Sequence, residues 1–472
     1  MRSGGALESA RRALSGTEAW VVGGAVRDRL LARAATPPLD VDLAVAGDVA
    51  GAAAAVAREA GAPRFRLSEA FGAWRVVDRE GAWRLDLAPL HPDGIEADLA
   101  QRDFTLNAMA EPVDGGELRD PFGGREDLAA RRLRAVSAGA FAADPLRALR
   151  LPRFSSELGF AADAVTRAGA AAQARALAGV APERVFAELK AIVSAPAVLE
   201  GLALCDELGL TAQVLPEVAA LHGVAQGVYH HLDVHDHTLA VLAEVLALER
   251  DPEAALGEHA AAAAALLAEP LADGLTRGQA LRFGALLHDA AKPQTRSELP
   301  GGRIGFPGHD AEGAGLARAA LTRLRASERL RAHVAALTRE HLRLGFLVHE
   351  RPLLPRAVYR YLRACEPVEV DVTLLSVADR LATRGRGAEG AIAKHLELAR
   401  ELLGEGLRWR AVDRREEPLV RGDELAAELE LEAGPRLGAL LSELEEARFA
   451  REIATREDAV AHARRILRRE RG

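Results

Sequence analysis

Two glycines and two nearby aspartates are the residues whose types and spacing could do chemistry. The apolar run at residues 20–22 ends in Gly23 and Gly24, and Asp40 and Asp42 follow inside the next Val-rich run. Glycine lets backbone N–H groups approach a phosphate chain where a strand turns into a helix. Side chains at positions i and i+2 of a strand share a face, so Asp40 and Asp42 can hold a divalent metal. The pattern predicts a triphosphate cradle beside a two-carboxylate metal site, which suits nucleotide transfer.

Further motifs follow this one in order. They are residues 101–110 (QRDFTLNAMA), 120–124 (DPFGG) with Asp127-Leu128, and 143–150 (ADPLRALR) with Arg153-Phe154. Together with the first motif they resemble the bacterial tRNA nucleotidyltransferase (CCA-adding enzyme) and poly(A) polymerase family, the class II branch of the polymerase-β-like superfamily. The resemblance extends over residues 19–402.

This resemblance implies roles for the first motifs. Gly24, Arg27 and Arg102 match the positions that contact the triphosphate in the family, and Gly23 belongs to the same turn. Asp40 and Asp42 are expected to be the catalytic residues and to bind Mg²⁺, which needs only one or two carboxylates besides phosphate oxygens and water. Asp86, within the apolar run 83–87, is a candidate third carboxylate.

The motif at residues 143–150 is expected to read the incoming base. Asp144 and Arg147 are three residues apart, so on a helix they would share a face. In the family this pair hydrogen-bonds the Watson–Crick edge of the nucleotide in place of a template strand. Arg150 and Arg153 continue the stripe and are expected to reach phosphates. Ala143 departs from the family's usual glutamate, which leaves the finer choice of nucleotide open.

A second candidate site comes from histidine and aspartate motifs further along the chain. Residues 231–238 (HLDVHDHT), 287–292 (LHDAAK) and 378–380 (ADR) resemble an HD-domain metal site. The resemblance implies these metal ligands: His237, His288, Asp289 and Asp379, with His309 and His341 placed where some HD enzymes bind a second metal. Imidazole and carboxylate ligands suit a transition metal. Two interpretations stand at this point, a metal-dependent phosphohydrolase and a helical spacer with a vestigial ligand set.

The composition is compatible with a cytoplasmic RNA-binding protein. The chain has 472 residues, of which 49% are hydrophobic and only 4% aromatic, so the cores must consist mainly of Ala, Leu and Val, which favours helix. A net charge of −8 counts little against nucleic acid binding, which depends on a local basic face. Two cysteines fit a reducing compartment. Residues 1–16 lack the apolar segment of a signal peptide, and the alanine run at 260–265 is too short for a membrane span.

These motifs must be positioned by a small α+β head followed by helical domains. Short Val-rich runs at 20–22, 41–45, 75–77 and 83–87 alternate with Ala-rich helical segments, whereas β signals almost vanish after Asp144. We therefore expect a polymerase-β-like nucleotidyltransferase head with a small mixed sheet, then all-α neck, HD and tail domains. The expected boundaries are 1–138 for the head, 139–222 for the neck, 223–402 for the HD domain and 403–472 for an RNA-contacting tail.

The favoured functional hypothesis is template-independent addition of C and A nucleotides to the tRNA 3′ end from CTP and ATP. The closest alternatives are an enzyme that adds only CC or only A, and a poly(A) polymerase. From other classes, the chain could be chiefly an HD phosphohydrolase with a relic head, or a tRNA-binding module without catalysis. The intact Asp40 and Asp42 pair argues against both of these. No membrane partner is expected.

Overall fold

The computed structural model describes residues 4–32, 39–69, 71–227, 230–385, 387–412 and 417–471. The chain divides into two compact units, Met1–Val214 and Leu215–Gly472. The first unit contains a mixed sheet and eleven helices within its described residues. These helices are α1 (Gly4–Ala13), α2 (Gly24–Leu30), α3 (Val49–Ala60), α4 (Ile95–Ala100), α5 (Gly124–Ala129), α6 (Ala140–Ala143), α7 (Leu146–Leu158), α8 (Ala164–Ala172), α9 (Pro182–Ser194), α10 (Val198–Glu207) and α11 (Thr211–Val214).

The sheet of the first unit has the strands β1 (Ala19–Val22), β2 (Leu39–Val45), β3 (Arg64–Ser68), β4 (Ala73–Val77), β5 (Trp83–Pro89) and β6 (Ala110–Pro112). Their spatial order is β3-β4-β5-β2-β1-β6, and β2 pairs with β5 in parallel while the other neighbours are antiparallel. This confirms the predicted α+β class and the four Val-rich strands. Strand β3 is an addition that the sequence analysis did not predict.

One face of the sheet packs against α1 and α3, because alternate residues of the strands are apolar. Val41, Val76 and Leu85 are almost fully buried on this side. Helix α3 is held in place by its caps: Asp48 accepts a hydrogen bond from Gly51 N at 3.0 Å, and Gly61 ends the helix in the left-handed conformation with φ 59°. The opposite face presents the residues that alternate with these, including both aspartates of the first motif.

The second unit is almost entirely helical. Its helices up to the end of the predicted HD domain are α12 (Pro216–Ala219), α13 (Val234–Arg250), α14 (Glu253–Leu256), α15 (Ala260–Leu267), α16 (Arg277–Leu287), α17 (Lys292–Thr295), α18 (His309–Arg323), α19 (Glu328–Glu340), α20 (Arg343–Leu347), α21 (Pro355–Cys365), α22 (Glu369–Ala382) and α23 (Ala388–Ala411). Helices α24 (Gly422–Leu429), α25 (Pro435–Phe449) and α26 (Arg456–Arg471) follow, with a small apolar core of their own. Across the described ranges, every helix is too short or too polar to cross a bilayer.

Candidate active site and candidate metal centre

A glycine with a positive φ joins β1 to α2 at the centre of the first site. Gly23 has φ 72°, a conformation that other residues rarely adopt. A Cβ atom at this position would lie 3.1 Å from Nη1 of Arg102 and 3.4 Å from Oδ2 of Asp42. The turn, Arg102 and Asp42 therefore converge on one spot. A side chain at position 23 would crowd both residues, whereas glycine leaves the backbone of the turn accessible.

A row of charged side chains crosses the sheet beside this turn. Asp42 on β2 is the register partner of Asp86 on β5, and Asp40 is the partner of Arg84. Because directly paired residues point to the same face, the three carboxylates share the open face of the sheet. Arg84 lies 3.5 Å from Asp40. The predicted clustering of Asp40, Asp42 and Asp86 is thus what the strand register produces.

Asp86 is held by an arginine that the sequence analysis did not single out. Nε and Nη2 of Arg75 donate to the two carboxylate oxygens of Asp86 at 2.6 and 2.7 Å. Arg75 is the register partner of Asp86 on β4, so the pair forms across adjacent strands. A bidentate arginine fixes the orientation of a carboxylate as well as neutralising its charge.

Asp42 has an unusual protonation equilibrium. Surrounding protein atoms raise the pKa of Asp42 by displacing water, and the negative charges of Asp86 and Asp40 raise it further. Arg102 partly offsets these effects. A site where carboxylates repel one another in this way favours a cation, because the cation removes the repulsion. Mg²⁺ fits this all-oxygen donor set.

Arg102 and Arg27, which were both predicted to contact the triphosphate, are held by different partners in the structure. Arg102 lies beside Gly23 and is anchored by Asp98, with 3.0 Å between Nη2 and Oδ1. Arg27 is 7% exposed and engaged within the protein. It donates from Nε to Asp28 at 2.8 Å and from Nη1 to Asn107 at 2.8 Å. Nη2 of Arg27 lies 3.5 Å from the place that a Cβ atom on Gly24 would occupy. Both arginines therefore border the glycine turn.

The predicted helical pairing of Asp144 and Arg147 is wrong. Helix α7 begins at Leu146, and Asp144 is extended with φ −147° and ψ 102°. The reason is Pro145, since a residue before proline is driven out of the helical region. Asp144 instead accepts a hydrogen bond from Arg184 at 2.7 Å. The two residues remain neighbours in the chain but do not form one face of a helix.

Arg147 and Arg150 connect α7 to the second motif. Nη2 of Arg147 donates to the carbonyl of Gln101 at 2.6 Å, and Nη1 donates to the carbonyl of Ala140 at 3.0 Å. Nη1 of Arg150 lies 3.0 Å from Oδ2 of Asp103, a buried aspartate. These contacts place both arginines next to the segment that carries Arg102. The arginines predicted to read the base and to reach phosphate therefore lie in the same region as Arg102.

Arg153 departs from its predicted role. It forms ion pairs with Glu157 and Glu188, each at 3.0 Å. Its charge is therefore neutralised inside the protein, where it links α7 to α9. We correct the expectation that Arg153 reaches phosphate, and we regard this arginine as part of the scaffold.

The second candidate site is centred on Asp289, just after α16. Its Oδ2 lies 3.1 Å from Nε2 of His288 and 3.8 Å from Nε2 of His237. Its Oδ1 lies 3.3 Å from Nε2 of His309 and 3.9 Å from Nε2 of His341. One carboxylate thus bridges two groups of ligand atoms, and the atoms of each group lie within 4.8 Å of one another.

Asp379 completes the first of these groups. Its Oδ1 lies 3.0 Å from Nε2 of His237, and it belongs to α22. The structure therefore brings together all four residues that the HD resemblance implied and the two suggested for a second metal. His230 is a further neighbour that the sequence analysis missed, with its ring 5.0 Å from that of His237.

Three of the histidines are oriented by the same kind of hydrogen bond to the backbone. Nδ1 of His288, His309 and His341 each lies 2.6–2.8 Å from the backbone carbonyl three residues earlier. A ring that donates from Nδ1 keeps a lone pair on Nε2, and Nε2 is the atom that faces Asp289 in each case. Metal-binding histidines are typically oriented by such outer hydrogen bonds.

Several buried polar atoms of this site lack a hydrogen bond. They are Nε2 of His237, Nε2 of His288 and both carboxylate oxygens of Asp289. Ion pairs such as that between Lys292 and Asp289 offset part of the cost of burying these atoms, and a cation among them would satisfy lone pairs that lack a hydrogen bond. The donor set of imidazole nitrogens and carboxylate oxygens fits a transition metal.

The charges of this site act differently on its individual ligands. Burial lowers the pKa of His288, but the neighbouring Asp289 outweighs it and raises that pKa. Burial alone would raise the pKa of Asp289, but His288 and Lys292 outweigh it and hold that pKa well below its usual value. Lys292 Nζ lies 2.6 Å from Asp289 Oδ2. Burial lowers the pKa of His341 to about 4, so this ring is neutral near pH 7. Ionised carboxylates and neutral imidazoles are the ligand forms of these side chains.

An open cavity of about 610 Å³ adjoins the second site. Asp379 and His341 lie in its wall together with two cationic side chains, Arg380 and Lys394. Its volume is in the range of small-molecule sites. A negatively charged ligand in this cavity would contact both the cationic side chains and the metal ligands.

Comparison with protein-family models gives three matches along the chain. Residues 19–134 match the poly(A) polymerase head domain, residues 159–221 match a probable RNA- and SrmB-binding site of polymerase A, and residues 234–384 match the HD domain. The first match contains the candidate active site, and the third contains the candidate metal centre.

Curated relatives match over nearly the whole chain. An A-adding tRNA nucleotidyltransferase of Deinococcus radiodurans is 36% identical, with 94% of each chain covered. A CC-adding tRNA nucleotidyltransferase of Thermus thermophilus is 35% identical over 94% of this chain and 92% of the relative. A multifunctional CCA protein of Halorhodospira halophila is 35% identical over 71% of this chain and 76% of the relative.

Solved structures share the fold. An apo form of a CCA-adding enzyme has a TM-score of 0.64 at 18% identity, with 97% of this chain and 92% of that chain covered. The Thermotoga maritima CCA-adding enzyme complexed with tRNA has a TM-score of 0.61 at 19% identity, with 97% and 94% covered.

Proposed function

This chain belongs to the tRNA nucleotidyltransferase family, and on that premise we propose that it adds C and A nucleotides to the 3′ end of tRNA from CTP and ATP without a nucleic acid template. The observation that carries this proposal is the convergence of Arg102 and Asp42 on Gly23, where both side chains lie within 3.4 Å of the place that a Cβ atom on this glycine would occupy. It joins a phosphate cradle to a catalytic carboxylate. We also propose that the protein works in the cytoplasm, where its substrate would be found.

The proposed reaction divides the work among the residues of the open sheet face. Asp40 and Asp42 would hold Mg²⁺, which when bound helps to activate the 3′-hydroxyl and to stabilise the departing pyrophosphate. The Gly23 turn and Arg102 would orient the triphosphate, as a backbone N–H cradle and a cation do for phosphates. Little covalent chemistry falls to the protein, so positioning and charge neutralisation account for the rate.

We propose that Asp144 and Arg147 read the base even though they do not share a helix face. Arg147 is fixed to the carbonyl of Gln101, next to Arg102, and this anchoring supports a rigid reading position. An arginine that donates and an aspartate that accepts can together distinguish the edges of C and A from those of G and U. Arg150 would support this region through Asp103.

We propose that the chain consists of four domains, whose boundaries follow from the positions of these sites. Residues 1–138 form the catalytic head, 139–222 the neck that reads the base, 223–402 the HD domain and 403–472 a tail that contacts tRNA. The matches to a head domain, an RNA-binding segment and an HD domain support the first three parts.

A nucleotide-incorporation assay with three tRNA substrates tests this function and its alternatives. Purified protein with Mg²⁺ would be incubated with tRNA that ends before CCA, before the terminal A, or with CCA complete, and CTP and ATP would be supplied separately and together. A full CCA-adding enzyme extends the first two RNAs and stops on the third. Relatives that cover more than nine-tenths of both chains add only CC or only A. Extension of only the tRNA that ends before CCA would identify a CC-adding enzyme, and extension of only the tRNA that ends before the terminal A would identify an A-adding enzyme. Continued addition of A would indicate a poly(A) polymerase.

We propose a second activity at the HD site, hydrolysis of phosphate esters that depends on a transition metal. The bridging position of Asp289 between two histidine groups supports two metal positions. Arg380 and Lys394 in the adjoining cavity provide cations for a phosphate group. His237, His288, Asp289 and Asp379 would hold the first metal, and His309, His341 and Asp289 the second.

A further inference from the structure

We infer that the exposed side chains of Phe65 and Leu67 on edge strand β3 form a stacking surface for the single-stranded 3′ end of the RNA substrate. We call this pair the β3 platform. The inference rests on the proposed function, because it assigns the approach of the RNA to the same active site. It adds a partner surface that none of the sequence motifs contains.

The strand register places Phe65 of the β3 platform in line with Asp42, whereas Leu67 lies at an irregularity of the β3–β4 register. Phe65 pairs with Arg75, Arg75 pairs with Asp86, and Asp86 pairs with Asp42. Paired residues share a face, so these four side chains form one row across the open face of the sheet. Three strand spacings separate Phe65 from Asp42, or about 14 Å. The β3 platform is therefore a short distance from the reacting atoms.

The platform is open to solvent. Phe65 is 48% exposed and Leu67 is 42% exposed. Arg64, which precedes Phe65, belongs to the other face of the strand, where it donates to the carbonyl of Ala50 in α3 and stacks on Trp74. An exposed phenylalanine beside an active site is informative, because large apolar side chains are normally buried.

The β3 platform lies on the opposite side of the active site from the triphosphate cradle, and this position indicates that it contacts the RNA. The triphosphate cradle is formed at β1, where Gly23 ends the strand, and β1 and β5 flank β2 on opposite sides. In an in-line displacement, the attacking and leaving oxygens lie on opposite sides of the phosphorus. The pyrophosphate departs on the Gly23 and Arg102 side. The 3′-hydroxyl, and the nucleotides that precede it, must then approach over β5, β4 and β3.

Charge along this path favours RNA over a second protein chain. Arg64 and Arg66 alternate with Phe65 on the edge strand and belong to its other face. Charged residues on an edge strand oppose pairing with another strand. On the open face, Arg75 and Arg84 lie between Phe65 and the aspartates. These two cations attract a phosphate backbone, and aromatic stacking accepts any base. A surface of this kind suits an enzyme that acts on many RNAs.

The test compares Phe65→Ala with Phe65→Trp in steady-state kinetics on tRNA that lacks its 3′ nucleotides. Loss of one base–aromatic contact should raise KM for RNA by about 5- to 100-fold, whereas kcat and KM for the nucleotide stay near the wild-type values. Phe65→Trp keeps a ring and should behave like the wild type. Phe346→Ala is the matched control, because Phe346 is 67% exposed and lies in the other unit.

A binding measurement keeps the inference separate from the proposed function. RNA with 2-aminopurine next to its 3′ end is titrated with protein in the absence of nucleotide, and stacking on Phe65 should quench its fluorescence. Phe65→Leu, which keeps an apolar side chain on the strand, should bind with less quenching. Equal quenching and equal KM in wild type, Phe65→Ala and Phe65→Leu would overturn the inference while nucleotide addition stands.

Two further outcomes are also decisive. If the wild type quenches through Phe65 but adds no nucleotide to any RNA, the platform stands and the proposed function fails. If Phe65→Ala changes the molecular mass in solution from that of a dimer to that of a monomer and leaves KM for RNA unchanged, the surface binds a second copy of the chain and the inference is wrong.

Discussion

Asp42 and Asp86 are direct register partners in the parallel ladder between β2 and β5. Both carboxylates therefore face the open side of the sheet, but they differ in their surroundings. Asp86 is neutralised by the bidentate contact of Arg75, whereas Asp42 lies beside the glycine turn and Arg102. This difference suggests that Asp42 binds metal directly and that Asp86 orients and tunes the site.

We predict that Asp86→Asn impairs the enzyme without abolishing it. Residues that support metal ligands typically contribute about 10- to 100-fold in metal affinity or activity. The expected result is a higher Mg²⁺ requirement for nucleotide incorporation, with partial recovery of the rate at high Mg²⁺. Mg²⁺ titrations of the incorporation rate in wild type and variant measure this. Unchanged Mg²⁺ dependence would show that Asp86 has no part in the site.

The acid limb of the pH–rate profile should report on Asp42. Its pKa is raised in the folded protein, so Asp42 takes up a proton, and loses metal affinity, at a higher pH than an ordinary aspartate. Asp86→Asn removes a negative charge that contributes to this shift, which lowers the pKa of Asp42. The acid limb of kcat/KM at saturating Mg²⁺ should therefore move to lower pH in the variant. A shift to higher pH would contradict this assignment of the charges.

Arg147→Ala should weaken the choice of base more than the binding of tRNA. A side-chain contact to a base edge contributes about 1–3 kcal/mol of discrimination, or roughly 5- to 150-fold. Incorporation of CTP and ATP measured against UTP and GTP gives the preference of each variant. Arg153→Ala is the matched control, since that arginine is on the same helix but paired with glutamates. A variant that keeps the wild-type preference would rule out a base-reading role for Arg147.

The two candidate metal sites should be separable. His288→Ala combined with Asp289→Ala removes ligands from both histidine groups, so hydrolysis of phosphodiester and phosphomonoester substrates should be lost while nucleotide addition continues. Hydrolysis in the wild type should require an added transition metal such as Ni²⁺, Co²⁺ or Mn²⁺, because imidazole ligands favour these ions over Mg²⁺.

The transition-metal content of the purified protein is a second measurement that distinguishes the two sites. Wild-type protein that retains no transition metal after dialysis, and hydrolyses nothing across a metal panel, would show that the HD domain is structural. Loss of nucleotide addition in the double variant, with an unchanged circular dichroism spectrum, would contradict the independence of the two sites.

The strands that carry the active site could be predicted because their sequences are strongly patterned. The apolar runs of β1, β2, β4 and β5 are buried on one face, and the spacing of Asp40 and Asp42 fixes their common face once β2 is recognised as a strand. Strand β3 does have the alternation of polar and apolar residues of a half-buried strand in Arg64–Ser68, and the sequence analysis overlooked this pattern.

The contacts that were missed depend on long-range register. Arg75 meets Asp86 only because β4 and β5 pair at those positions, and no local pattern encodes that pairing. The prediction that Asp144 lies on a helix was wrong for a local reason, because a proline follows it. In the second unit, the ligand types were visible in the sequence, but the bridging position of Asp289 follows from the packing of four helices.

The most direct measurement of the central claim is nucleotide incorporation by Asp40→Ala and Asp42→Ala, run beside a tRNA-binding assay. The substrate is tRNA that lacks CCA, with CTP, ATP and Mg²⁺, and Asp93→Ala is the control because Asp93 is exposed in the same unit. Metal-assisted charge stabilisation contributes several kcal/mol, so each aspartate variant should lose at least about 100-fold in rate while binding tRNA normally. Incorporation within about tenfold of the wild type in either variant would contradict the assignment of these two carboxylates as the catalytic pair.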